Sequence, residues 1–339
     1  MEAHGRETVG ASTTARMALP RAVLQLQHFC SKMIPYMHHA ISTAEIHKPD
    51  WLLAYTHNVK SQYGEDGIIA KIFEIIGEES RWAVELGALN GYHDSNTWHL
   101  IKDCGWNAVL LEADRTYFER LVEEYKEIDR VVCLNSFVSF EWSQSLDTIL
   151  AVTRMPKDFD LLALDIDGNE YHVWESLVRY RPRVVVVEFN PSIPHDVSFV
   201  QPRDMTLMQG SSLSAFVELG AGKGHELVAA NETNAFFVQD ELYPKFAMNN
   251  TVLDAVHPDR QFITYFFQLY DGTLKIAGNR KLIWHHSPLD ENKLQILPDH
   301  ARRYPARISS SAFVRWLKYV ARTLPVYPLV QRLRKKLSL

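Results

Sequence analysis

The sequence predicts a doubly wound α/β sheet, mostly parallel and finished by an antiparallel edge, and three observations predict it. Short apolar runs alternate with segments of helical periodicity from Trp82 to Val187. The last of these runs, Val184-Val185-Val186-Val187, is uninterrupted and β-branched, as a strand covered on both faces requires. Two further strand-like runs are then joined by only Asn231-Glu232-Thr233-Asn234, a length that suits a hairpin and not a crossover. Strands alternating with helices call for parallel pairing.

Taken in order, residues 1–60 predict a lead-in that is helical or partly disordered, with loose helical spacing over Val23–Ile41. The main domain is expected over 61–245. Ile68, Ile69, Ile72, Phe73 and Ile76 recur on one helical face, and Gly77 suits the C′ position. Trp82–Ala88 is the opening strand, and a helix over Ser95–Cys104 ends at Gly105. Val109–Glu112 is the second strand, after which Asp114 is placed to cap a helix carrying Phe118, Leu121, Val122 and Tyr125. Val131–Val138 reads as strand three, Ser145–Val152 as a helix, and Leu161–Leu164 as strand four. A helix with Trp174, Leu177 and Val178 on one face leads to strand five. Pro191–Gly210 is a long loop, Ser212–Leu219 a helix, and Glu226–Ala230 with Ala235–Gln239 the closing hairpin. A small β-meander is expected over 246–300, with turn signals at Asp271-Gly272 and Gly278-Asn279. The remainder, 301–339, is a basic amphipathic tail.

Bulk composition bounds the function classes. At 339 residues and 46% hydrophobic, the chain suffices for one large domain with additions. It holds no apolar run of membrane-spanning length, and Arg16 and Arg21 break up a secretory core at the start. Cys30, Cys104 and Cys133 have no paired or metal-ligand spacing and read as reduced thiols of a cytoplasmic protein. The tail after Asp299 carries ten Lys or Arg and no acid, which leaves 26 basic against 41 acidic residues in the body. An acidic body argues against a nucleic-acid binder. In the tail, Phe313, Trp316, Leu317, Val320 and Leu324 lie opposite Arg315, Lys318 and Arg322. That pattern suits peripheral contact with a membrane, or docking on the acidic body.

Ligands of doubly wound sheets bind beyond the carboxyl ends of the strands. Here every strand leaves an acid or an amide at that rim: Glu85 with Gly87 and Gly91, Glu112 with Asp114, Asn135 with Ser136, Asp165 with Asp167, and Glu188 with Asn190. A carboxylate at the end of strand two accepts hydrogen bonds from both ribose hydroxyls, and Glu112 occupies that place. The spacing from Gly91 to Glu112 suits a dinucleotide or the nucleoside of S-adenosylmethionine. Strand one ends Glu-x-Gly-x-x-x-Gly instead of Gly-x-Gly-x-x-Gly, which disfavours an NAD-dependent oxidoreductase. A cofactor-fold scaffold without transfer activity stays open as the rival from another class.

Glu85–Gly91, Leu110-Leu111-Glu112-Ala113-Asp114 and Leu164-Asp165-Ile166-Asp167-Gly168-Asn169-Glu170 together resemble the FkbM-like S-adenosylmethionine-dependent methyltransferases, over roughly residues 62–239. The resemblance implies the seven-stranded class I methyltransferase fold with an antiparallel last strand. It implies that Glu85, Gly87 and Gly91 line the methionine and ribose part of the cofactor pocket. Glu112 would hold the ribose hydroxyls, Asn135 and Ser136 would lie near the adenine, and Asp165 would face the methyl donor. The chain departs from the family at Leu164, where a lysine is common, and at Asp167, where a Glu is. The expected reaction is methylation of a hydroxyl on a sugar, glycan or small polar metabolite. Such a transfer needs the hydroxyl oriented and deprotonated. His195, just past strand five, is the first candidate base, with Asp165 and Glu188 as further catalytic candidates. Alternatively Asp165, Asp167, Glu188 and Asn190 offer hard oxygen donors suited to Mg²⁺. His38-His39 and His285-His286 lack metal-site spacing and read as surface or packing residues.

Overall fold

The computed structural model describes residues 47–248 and 252–304. The expected helix over Val23–Ile41, Cys30, the His38-His39 pair and the tail from 305 onward lie outside them. No helix among the described residues is long and apolar enough to cross a membrane.

Helix α1 (Glu65–Ile76) buries Ile68, Ile69, Ile72, Phe73 and Ile76 on one face, as its spacing dictates. It starts from Gly64 in the left-handed region, where a Cβ would strike Thr56, and it packs over Leu52 of the single-turn helix Trp51–Tyr55. There follow β1 (Trp82–Leu86), α2 (Trp98–Lys102), β2 (Asn107–Glu112) and α3 (Arg115–Tyr125). Asp114 caps α3 by accepting from the amides of Thr116 and Tyr117. Then come β3 (Val131–Asn135), α4 (Leu146–Leu150), β4 (Asp158–Leu164), α5 (Glu170–Ser176) and β5 (Arg181–Glu188). Helix α6 (Leu213–Gly222), capped by Ser212, leads to β6 (His225–Ala230) and β7 (Asn234–Gln239).

These seven strands form one sheet in the order β3-β2-β1-β4-β5-β7-β6. The first five pair in parallel, whereas β7 runs antiparallel between β5 and β6. This is the arrangement of the class I methyltransferase fold. The valine run of β5 shows why both faces must be covered. Val185 and Val187 join the cluster holding Trp174 and Phe216, while Val184 and Val186 join the cluster holding Phe73 and Trp106 on the opposite face. At the lower end of the sheet a buried pair, Asp160 and Arg183 at 2.7 Å, ties β4 to β5 and meets the amides of Glu79 and Arg81.

Beyond the sheet, α7 (Leu253–Val256) precedes a two-stranded ribbon of β8 (Thr264–Gln268) and β9 (Leu274–Gly278). Its turn falls at Asp271-Gly272, while Gly278-Asn279 ends β9. Chain order reverses across β1 and β4, so the two strands leave the sheet with their following helices on opposite sides. A crevice opens there.

Candidate active site

The β1 turn is held from below by Glu85. This buried carboxylate accepts from Ser95 Oγ at 2.9 Å, the Asn96 amide at 2.7 Å and Thr97 Oγ1 at 2.5 Å. Burial pushes its pKa up, and these three donors pull the other way. Gly87 follows with φ +69°, where a Cβ would lie 1.8 Å from the main-chain oxygen of Asp165. Bare backbone is therefore a requirement at the junction of β1 and β4. Gly91, φ +73°, serves a different purpose. A Cβ there would sit 2.6 Å from both Leu121 and Tyr125, whose hydroxyl donates to the Gly91 carbonyl at 2.9 Å. Gly91 lets α3 close on the turn and does not line the cavity.

Glu112 ends β2 with its side chain aimed across the rim. It accepts from the Leu89 amide at 2.8 Å and the Asp114 amide at 2.7 Å, one on each oxygen. Each oxygen keeps capacity for a further hydroxyl donor. Asn135 points elsewhere: its amide donates to the carbonyls of Glu112 and Ala113, lacing β3 to β2. The next residues, Ser136 and Phe137, do line the cavity.

After β4 the backbone takes positive φ three times in succession, at Asp167 (60°), Gly168 (128°) and Asn169 (71°). Left-handed Asp and Asn residues store strain that surrounding contacts must hold. Glu170 supplies one such contact, accepting from the amides of Ile166 and Gly168 at 3.1 and 2.6 Å. Its own burial raises its pKa to about 7. The turn presents Asp165 and Asp167 toward Glu188 at the end of β5, and their ligand atoms all lie within 4.8 Å of one another. Burial holds Asp165 and Glu188 well above the usual carboxylate range, and repulsion from neighbouring carboxylates adds to it, first Glu170 for Asp165 and Asp165 for Glu188.

These strand ends enclose a cavity of about 430 Å³, within the size range of small-molecule sites. Of the residues proposed from sequence, Glu85, Gly87, Glu112, Ser136, Asp165, Asp167 and Glu188 line it together. Asn190 does not join them. Its Oδ1 accepts from the Ser192 amide and hydroxyl, and its Nδ2 donates to the Gln209 carbonyl. Nor is His195 brought to the cavity. Nδ1 of its ring meets Asp254 at 2.7 Å and Nε2 meets His257 at 2.9 Å, so both nitrogens are engaged by side chains away from the cavity.

The cavity also uses residues the sequence did not single out. Gln62 comes from the turn before α1, Asp94 and Asn96 from the segment bound by Glu85. Met205, Leu207 and Met208 come from the long loop, and Trp284 from the segment after β9. Loop length pointed to the first three. No local pattern marks Trp284, which reaches the site only through tertiary placement.

No protein-family model and no curated protein matches the chain. Solved structures do resemble it. The N-terminal domain of EvdMO1 with SAH bound is 15% identical over 52% of this chain and 80% of that one, with a TM-score of 0.35. Magnesium protoporphyrin IX methyltransferase from Synechocystis PCC 6803 with bound SAM is 10% identical over 66% of this chain and 100% of that one, with a TM-score of 0.33. A protein from Galdieria sulphuraria is 17% identical with a TM-score of 0.34, covering 48% of this chain, which spans 62% of that protein's length. Likenesses this distant assign no activity.

Proposed function

We propose that the chain is an S-adenosylmethionine-dependent methyltransferase of the FkbM-like type, acting on a hydroxyl of a sugar or other small polar metabolite. The observation that carries this reading is the charge of the cavity. Six carboxyl groups line it, three of them (Glu85, Asp165 and Glu188) raised by burial, and none of its lining residues is Lys, Arg or His, so whatever charge the lining carries is negative. S-adenosylmethionine is a net cation, and such a lining attracts it. The anionic pyrophosphate of a nicotinamide dinucleotide would meet only repulsion there. Glu112, preorganised by two amides, supports the same reading because a ribose diol satisfies its remaining acceptor capacity.

When bound, the cofactor supplies an electrophilic methyl group. The chain's own part is to hold the acceptor hydroxyl in line and remove its proton. The Asp165–Glu188 pair fits that task. Burial and repulsion raise Glu188 to about 10, where it holds its proton, and Asp165 to about 7, so the ionised Asp165 can take the proton as the hydroxyl oxygen forms its new bond to carbon. A second route is favoured by the close approach of Asp165, Asp167 and Glu188. Three hard oxygen donors suit Mg²⁺, which would lower the hydroxyl's pKa instead. Loss of activity in chelator with recovery on adding Mg²⁺ would assign that route, and full activity in chelator would remove it.

Calorimetry with S-adenosylhomocysteine and with NAD tests the main reading, with binding of the first alone expected. Binding of neither would favour a scaffold, and binding of NAD an oxidoreductase. For the basic tail the proposal is contact with an anionic membrane surface, tested by liposome flotation with and without the residues after Ser309.

A further inference from the structure

The cavity is two-sided in chemistry. Its floor is acidic, but one wall is apolar and built from outside the strand ends, by Met205, Leu207, Met208 and Trp284. The loop part of that wall, Met205 to Met208, is pinned in place. Asn169 Nδ2 donates to the carbonyls of Asp204 and Leu207 at 3.2 and 3.1 Å. The buried Gln201 accepts on Oε1 from the amides of Gln209 and Gly210. Gly168 allows the approach, since a Cβ there would meet the Leu207 carbonyl and the Met208 Cα at 3.1 Å. This part of the wall is thus fixed to the turn after β4, whereas Glu112, Ser136 and Phe137 stand on the β2–β3 side of Asp165. A nucleoside on Glu112 leaves the wall to the acceptor.

Two of the wall residues lie largely in water, Met208 at 77% and Trp284 at 66% exposure. Apolar side chains of that size beside a polar cavity gain free energy when a ligand covers them. The floor opposes any anionic ligand, because no lining Lys, Arg or His could balance one.

We infer that the acceptor is a neutral amphipathic molecule, its hydroxyl-bearing head on the Asp165–Glu188 floor and its apolar body along Met205, Leu207, Met208 and Trp284. The inference rests on the methyl-transfer reading and narrows its substrate. A bare sugar would satisfy the floor and leave the wall uncovered. A glycoside with an alkyl or aryl aglycone would satisfy both.

The test is calorimetry of the full chain, saturated with S-adenosylhomocysteine, against two probes with the same head: methyl β-D-glucopyranoside and n-octyl β-D-glucopyranoside below its micelle threshold. The octyl glycoside is expected to bind about tenfold or more tightly. The double variant Met208→Ser/Trp284→Ser should abolish that preference. Because both side chains are exposed, it should change S-adenosylhomocysteine affinity by no more than about twofold. Equal binding of the two probes, or a preference that survives in the variant, would overturn the inference. Failure of S-adenosylhomocysteine to bind, with the alkyl preference intact, would count against methyl transfer and not against an amphipathic ligand.

Discussion

Gly87 and Asp165 meet backbone to backbone: a Cβ on the first would lie 1.8 Å from the carbonyl oxygen of the second. Neither partner can swing aside, since the atom struck is main chain. Gly87→Ala is expected to destabilise the fold by roughly 2–4 kcal/mol, the left-handed φ and the clash together. It should also weaken S-adenosylhomocysteine binding at least tenfold, as the β1 and β4 turns move apart. Gly105→Ala is the control. Its φ is +74° but nothing lies within 4 Å of the added carbon, so a cost of about 1–2 kcal/mol is expected. Equal urea midpoints for the two variants would remove the claim that close approach, and not φ, makes Gly87 necessary.

Glu112 offers a second test. Glu112→Gln keeps the shape but replaces one carboxylate oxygen by an NH₂ group that faces the amide of Leu89 or Asp114 as donor against donor. Hydrogen bonds to a charged acceptor are worth about 1.5–3 kcal/mol, so affinity for S-adenosylhomocysteine should fall about ten- to hundredfold. Calorimetry showing wild-type affinity would detach Glu112 from the ribose.

The sheet was legible in the sequence because its signal is local and redundant. The Val184–Val187 run and the four-residue link at Asn231–Asn234 each constrain the topology without knowledge of any distant partner. The acid rim was legible for the same reason: strand ends are identifiable, and polar residues there are few. Gly91 shows where that reasoning stops. Its spacing suits a cofactor turn, yet the demand it answers is set by Leu121 and Tyr125 on a helix thirty residues away. His195 and Trp284 make the same point in opposite directions. Proximity in chain order to β5 brought His195 forward as a base, but Asp254 and His257 occupy its ring. Trp284, far along the chain, reaches the cavity because the segment after β9 folds back.

Asp165 and Glu188 should make the site distinguish a sulfonium from a thioether. S-adenosylmethionine carries the positive charge that S-adenosylhomocysteine lacks. Asp165→Asn is therefore expected to cost the first about tenfold in affinity and the second little. The direction of the pKa shifts adds a pH dependence. Burial raises Asp165 to about 7 and Glu188 to about 10, so Asp165 gains its charge as pH rises from the ordinary carboxylate range through neutrality while Glu188 keeps its proton. The preference for S-adenosylmethionine should grow as pH rises through that interval and flatten in the variant. A pH-independent ratio of the two affinities would contradict this.

For His195 the expectation is structural. Its side chain is 6% exposed and bonded at both nitrogens. His195→Ala should lower stability by about 1–3 kcal/mol by leaving His257 without its partner. S-adenosylhomocysteine affinity should be unchanged. A loss of cofactor affinity equal to that of the Glu112 variant would bring His195 back toward the site.

Two buried groups set opposing limits on stability. Burial raises Glu170 from 4.5 to about 7. A raised carboxyl stabilises the fold fully below its unfolded value, and that contribution is lost as pH rises through the folded one. Glu170→Gln keeps an oxygen for the amides of Ile166 and Gly168 and carries no charge to desolvate. It should flatten the alkaline side of the profile, gaining at most ~3 kcal/mol above the window. His257 acts in the other direction. Burial, and then the charge of His195, lower it from 6.5 to about 4. The folded state therefore binds its proton less readily than the unfolded chain. Stability is full above 6.5 and is lost as pH falls through about 4. His257→Asn should flatten that acid limb and leave the alkaline one in place. Urea unfolding across both windows separates the two. If each single variant flattened both limbs, the two groups would be coupled through the loop between β5 and α6. Independent flattening would confirm that each answers to its own burial.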